Sequence, residues 1–125
     1  MNNKECVREL WERFSQGDYQ GSRHLMKPNI NIVWPTSREC YENADEYLAV
    51  NEVFGEGWTF EILSLEETTS GKVISVTYVS CPQCKDSFYA TSICQFEDNL
   101  ISHMETFWAF QDQQPEWRKG LSHVY

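Results

Sequence analysis

Between Ser80 and Ser87 the chain reads SCPQCKDS, two thiols two residues apart around a proline, the spacing of a zinc knuckle or a redox pair. A structural zinc site needs four ligands. No second CxxC is present, and Cys6, Cys40 and Cys94 stand apart, in a predicted helix, loop and mid-strand. A thioredoxin-type pair owes its low thiol pKa to a following helix N-terminus, whereas the residues after Ser87 read as a strand. Pro82 suits the first corner of a turn, and Gln83, Lys85 and Asp86 suit an exposed tip. The pair therefore reads as a hairpin turn with free thiols, ahead of a metal shared across a dimer and of a labile disulfide. Neither a metal site nor a cofactor is predicted.

The other residue type able to do chemistry is histidine, at 24, 103 and 123. His24 falls in a short helical stretch and His123 in a terminus expected to fray. His103 and Glu105 share one face of a strand and could work as an acid–base pair; as charged groups they sit more cheaply on a face that meets water or a second subunit.

The elements that would position these groups follow from period and punctuation. Val7, Leu10, Trp11 and Phe14 recur at helical spacing behind Asn2 and Asn3, and Gly17 stops that helix. Asp18 to Met26, with Asp18 as cap, fits a second short helix ending before Pro28. Ile30 to Trp34 reads as a brief strand. Ala44 to Phe54 reads as a third helix capped by Asn43, with Asp45 and Glu46 in its first turn and Gly55 as terminator. Beyond it the period becomes two: strands near Thr59–Glu67, Val73–Cys81, Phe88–Glu97 and Ile101–Phe110 are joined by short turns, so neighbours should run antiparallel. The expected fold is α+β, with three N-terminal helices packed on a curved, mainly antiparallel sheet.

Composition narrows the classes of function. At 125 residues, 41% hydrophobic and 14% aromatic, the chain is expected to be one domain with a real core. A net charge of −9 with no basic run excludes the electrostatic footprint that nucleic acid requires. No apolar run approaches the roughly 20 residues of a membrane span, and the first residues lack a signal-type apolar stretch. The odd count of five cysteines argues against a disulfide framework. A cytoplasmic location is the expectation.

The order of these features resembles the nuclear transport factor 2-like superfamily, in particular its SnoaL-like branch: a helix with Trp11, Gly17-Asp18-Tyr19, MKPNINIVWP from Met26, a helix, and a meander ending METFWAFQDQQPEWR from Met104. The likeness covers nearly the whole chain. It implies a cystatin-like cone with an apolar pocket between helices and sheet, often dimerising through the outer sheet face. Members include steroid isomerases, polyketide cyclases, dehydratases and non-catalytic binding or assembly domains.

HMETFW, from His103, is similar to the end of the ketosteroid isomerases, where the methionine and the final aromatic face the ligand. That resemblance places Ser102, Met104, Thr106 and Trp108 inward, and alternation adds Phe88, Ala90, Ser92, Cys94 and Phe96 from the neighbouring strand. Trp34, Tyr47, Phe54 and Trp58 are expected to contribute from the early strand and third helix. The isomerase's own groups do not carry over: its tyrosine aligns near Leu10, its base aspartate on Trp34 and its second aspartate on Ser92. Fold alone does not imply function. The expectation is a pocket for a small apolar or aromatic molecule in a homodimer. The alternatives are an isomerase, cyclase or dehydratase acting on a carbonyl compound, and an assembly module using the outer sheet face. Trp117, in the Pro-x-Trp-Arg tail, is expected to bury its ring against the first helix.

Overall fold

A computed structural model describes residues 1–125. Helix α1 runs from Asn3 to Ser15, followed by a 3₁₀ turn from Gln20 to Leu25. Strands β1 (Met26–Trp34) and β2 (Glu39–Tyr41) precede helix α2 (Ala44–Phe54). Then come β3 (Thr59–Glu67), β4 (Val73–Ser80), β5 (Phe88–Glu97) and β6 (Leu100–Phe110). One sheet takes all six strands in the order β2-β1-β6-β5-β4-β3. Every pairing is antiparallel except β1 with β6.

Local signals explain both helices. The Asn2 side chain accepts from Glu5 N at 2.8 Å, and Asn43 from Glu46 N at 2.8 Å, each satisfying an N-terminal donor that the helix itself cannot. Gly55 ends α2 at φ 103°, a conformation open to glycine at no steric cost. The buried stripe of α1, Val7, Leu10, Trp11 and Phe14, meets the sheet, while α2 turns Ala44, Tyr47, Leu48 and Asn51 inward.

Four expectations need correction. Three N-terminal helices are not found: the second is the 3₁₀ turn, and α2 enters only after two strands. Asp18 does cap, but it caps a tight turn, accepting from Gly21 N at 3.1 Å, and Met26 leaves at once in extended conformation. The early strand starts at Met26 rather than Ile30, running through Pro28. β2 pairs only with Ile32, Val33 and Trp34, and the β1–β6 register shifts between Met26 and Asn31; on such an edge a proline forfeits no ladder bond. β2 itself was not expected, since three residues are too few for a readable period. Trp117 does not pack on α1: it is 72% exposed, in a 3₁₀ turn beyond the last strand with Arg118 stacked 5.1 Å from its ring.

Candidate functional site

The inner sheet face and the two helices enclose a conical hollow whose narrow end is filled. Trp11 stacks on Phe60 at 5.7 Å, Phe14 meets Phe60 edge-on at 5.4 Å, and Tyr19 meets Phe14 at 4.9 Å. Tyr19 Oη donates to Gly55 O at 2.6 Å, tying the 3₁₀ turn to the end of α2. What this plug leaves deep inside is a void of about 10 Å³ beside Phe60, Tyr47 and Trp108, room for about one water. The wide end is a cavity of about 400 Å³, with Trp34, Val50, Val53, Phe54, Phe88, Trp108 and Phe110 as its apolar wall and Thr36, Ser37, Glu39 and Asn51 as its polar groups. That volume suits a small molecule.

Trp108, Trp34 and Asn51 border both spaces. Trp108 meets Trp34 at 5.6 Å and Phe88 at 6.1 Å, both edge-on. Its indole Nε1 is the one solvent-shielded side-chain polar atom with no hydrogen-bond partner. Leaving a buried donor unmatched costs about 1–3 kcal/mol; with no accessible surface of its own, this donor meets an acceptor in the wide cavity only if the indole ring turns. Asn51 Nδ2 is already engaged, with Tyr47 O at 2.8 Å.

The residues expected to line the pocket divide into three groups. Trp34, Phe54, Phe88 and Trp108 are brought together at the wide cavity, and Tyr47, Thr106 and again Trp34 and Trp108 at the inner void. Trp58 stands behind the wall, stacked on Phe54 at 4.4 Å and tilted on Phe88 at 5.7 Å. Ser92, Cys94 and Met104 face inward but are closed in the core, bordering neither space. Ser92 Oγ is satisfied by Thr106 Oγ1 at 2.9 Å, and Tyr47 Oη reaches Met104 Sδ at 3.8 Å. Ser102 departs from the expected face. A register shift between Gln95 and Phe96 pairs Phe96 with Ile101, so Ile101 takes the buried position and the Ser102 hydroxyl turns to Gln95 O at 3.3 Å.

Asn51, Val50, Val53 and Phe110 were missed, as were Thr36, Ser37 and Glu39 between and on the first two strands. Asn51 lies four residues after Tyr47 on a predicted helix, and Phe110 two after Trp108 on a predicted strand. The same periodicities that selected the others would have found both.

Titratable groups in the hollow are few. Burial drives the Tyr47 hydroxyl pKa strongly upward, with Cys94 and Tyr41 adding to the rise. Tyr41, which borders neither space but lies edge-on to Trp34 at 4.7 Å, is pushed up to about 12 by burial and by Glu39. These phenols stay neutral donors at ordinary pH. His103 and Glu105 alternate with the buried Met104 and Thr106 on β6, which places them on the outer face, opposite Gln95 and Ile93. The close imidazole–carboxylate pair is elsewhere: His24 Nε2 lies 2.8 Å from Glu9 Oε2 with Arg13 on the same oxygen at 3.7 Å, and neither His24 nor Glu9 borders the hollow. Of the positions aligned with isomerase groups, Leu10 is fully buried core, Trp34 is wall, and Ser92 is spent on Thr106.

No family model matches the chain, and no curated protein does. Solved structures do match in fold. A candidate ketosteroid isomerase from Kribbella flavida DSM 17836 superposes with a TM-score of 0.83 at 14% identity, over 98% of this chain and 89% of its own. A nuclear transport factor 2-like protein of unknown function from Burkholderia xenovorans LB400 gives 0.77 at 17% identity, over 98% and 94%. A candidate SnoaL-like polyketide cyclase from Shewanella putrefaciens CN-32 gives 0.70 at 9% identity, over 85% and 88%.

Proposed function

We propose that this chain, which has the nuclear transport factor 2-like fold, is a SnoaL-like binding protein for a small apolar or aromatic molecule bearing a hydrogen-bond acceptor. The observation that carries this reading is the aromatic wall of the 400 Å³ cavity, built by Trp34, Phe54, Phe88, Trp108 and Phe110; the shielded, unmatched Trp108 Nε1 would donate to a ligand once the indole ring turns toward it. Aromatic rings supply most of the contact area, and one donor would orient the ligand, as in small-molecule sites generally. An isomerase, cyclase or dehydratase role needs a base and an acid at the substrate. The cavity offers Glu39 at its exposed rim and no imidazole, so binding is the simpler reading. A cytoplasmic location accords with free Cys40 and Cys84 at the surface and with the absence of any helix long and apolar enough to cross a membrane.

The test compares two bicyclic ligands of one shape, tetralin and 1-tetralone, by titration of tryptophan fluorescence. The ketone is expected to bind about fivefold tighter, the worth of roughly one neutral hydrogen bond, and Trp108→Phe is expected to remove that difference while leaving tetralin binding in place. Saturable binding by neither ligand, or an advantage for the ketone that survives in Trp108→Phe, would refute the reading.

A second reading, homodimerisation, is favoured by the outer sheet face. Leu63, Tyr89 and Phe107 are 52%, 39% and 40% exposed there, and half-buried Ile74, Val76, Tyr78 and Ile93 lie beside them. A second copy is the occupant such a face fits, because a two-fold axis sets one apolar patch against its equal. Light scattering should find a dimer that Phe107→Glu converts to monomer; a native monomer at high concentration would exclude it.

A further inference from the structure

We propose that Cys81 and Cys84 form a thiol–disulfide exchange site, which a low-molecular-weight disulfide of the glutathione class oxidises reversibly to an intramolecular bond. Cys84 N donates to Cys81 O at 3.1 Å, closing a four-residue turn. Such a turn holds its end Cα atoms within about 7 Å, and a disulfide asks for about 4.4–6.8 Å. Pro82 pins the first corner of that turn, which limits the conformational freedom lost on closure. The two thiols interact: Cys81, through a side-chain hydrogen bond, is the largest influence on the Cys84 thiol and raises its pKa. Cys84 is exposed and Cys81 half-buried. Cys81 Sγ is steadied by Gln83 Oε1 at 3.5 Å and lies 3.9 Å from where a Cβ on Gly57 would stand.

The other thiols lack this arrangement. Cys6 and Cys94 are buried, closed to a small disulfide. Cys40 is exposed but has no cysteine beside it in the sequence, so it serves as an internal control.

The exchange balances as follows. The Cys84 thiolate attacks one sulfur of the small disulfide, forming a mixed disulfide and expelling one small thiolate. The Cys81 thiolate then attacks Cys84 sulfur, forming the internal bond and expelling the second. The protein loses two electrons and two thiol protons; the small disulfide gains the electrons and leaves as two thiols once protonated. An exposed bond closing so short a loop belongs to the readily reduced kind. Its position reaches the cavity wall: Cys81 lies against Gly57, whose neighbour Trp58 stacks on Phe54 and tilts against Phe88.

The experiment incubates the full chain with oxidised glutathione, quenches in acid, alkylates the remaining thiols and maps the cysteine peptides by mass. The peptides holding Cys81 and Cys84 should lose two hydrogens and carry no adduct, while Cys40 gains one glutathione, and dithiothreitol should reverse both. In Cys84→Ser the Cys81 peptide should instead carry a stable glutathione adduct. Stable glutathione on Cys81 or Cys84 in the native protein, or both thiols unmodified while Cys40 reacts, would overturn the proposal. None of these readouts depends on the cavity or its ligand.

Discussion

The indole N–H of Trp11, on α1, donates to the Ser75 hydroxyl, on β4, at 3.1 Å, between two buried residues 64 positions apart. The bond fixes how deeply α1 sits over the sheet, and so how the Trp11–Phe60 plug closes the narrow end of the hollow. Ser75→Ala leaves the indole donor unmatched and should cost about 1–3 kcal/mol in urea unfolding. The double variant Trp11→Phe, Ser75→Ala should fall short of the sum of its singles; strict additivity would show that the bond contributes nothing.

Asp18 and Gly21 act as one unit. A Cβ on Gly21 would fall 2.0 Å from Asp18 Oδ2, while Asp18 is held by Gly21 N at 3.1 Å and by Arg13 Nη1 at 3.0 Å. Gly21→Ala should therefore displace the carboxylate and forfeit the cap, costing about 1 kcal/mol, as should Asp18→Ala. The double variant should be no less stable than either single. Thermal unfolding of the three proteins checks this, and independent costs would contradict it.

Stability should fall at alkaline pH. Burial raises the Cys6 thiol from 9.0 to about 11, so the folded state keeps a proton that the unfolded state releases. The contribution is complete below pH 9.0 and is lost as pH climbs through about 11, a decline of about 1.4 kcal/mol per pH unit in that window. The upward shifts of Cys94 and Tyr47 add to the same trend. Urea midpoints at about pH 8 and about pH 10 should show Cys6→Ala losing less stability between them than the native protein.

The buried hydroxyl pair Ser92 and Thr106, 2.9 Å apart, satisfies itself inside an apolar setting. Thr106→Val strands the Ser92 hydroxyl and should cost about 1–3 kcal/mol, whereas Ser92→Ala with Thr106→Val removes both partners and should lie nearer to native. A double variant worse than Thr106→Val alone would mean that the hydroxyls serve something other than each other.

The sequence by itself determined the parts whose cause lies within a few residues. Asn43 and Gly55 bound α2 because a cap acts on the next turn and a left-handed terminator on its own backbone. Strand alternation set Met104, Thr106 and Trp108 on one face and His103 and Glu105 on the other, since successive side chains must oppose one another; the likeness to the ketosteroid isomerases and the cost of burying charge chose the first face as the inner one. Tertiary structure decided what depends on distant partners. The bulge beside Phe96 exchanged Ser102 for Ile101, a phase change that depends on how β5 and β6 pair. Close packing of Trp11, Phe14 and Phe60 turned a continuous cone into a sealed end and an open mouth. That Trp108 Nε1 has no acceptor is likewise a fact of what surrounds the ring, between Trp34 and Phe88, and no period along the chain records it.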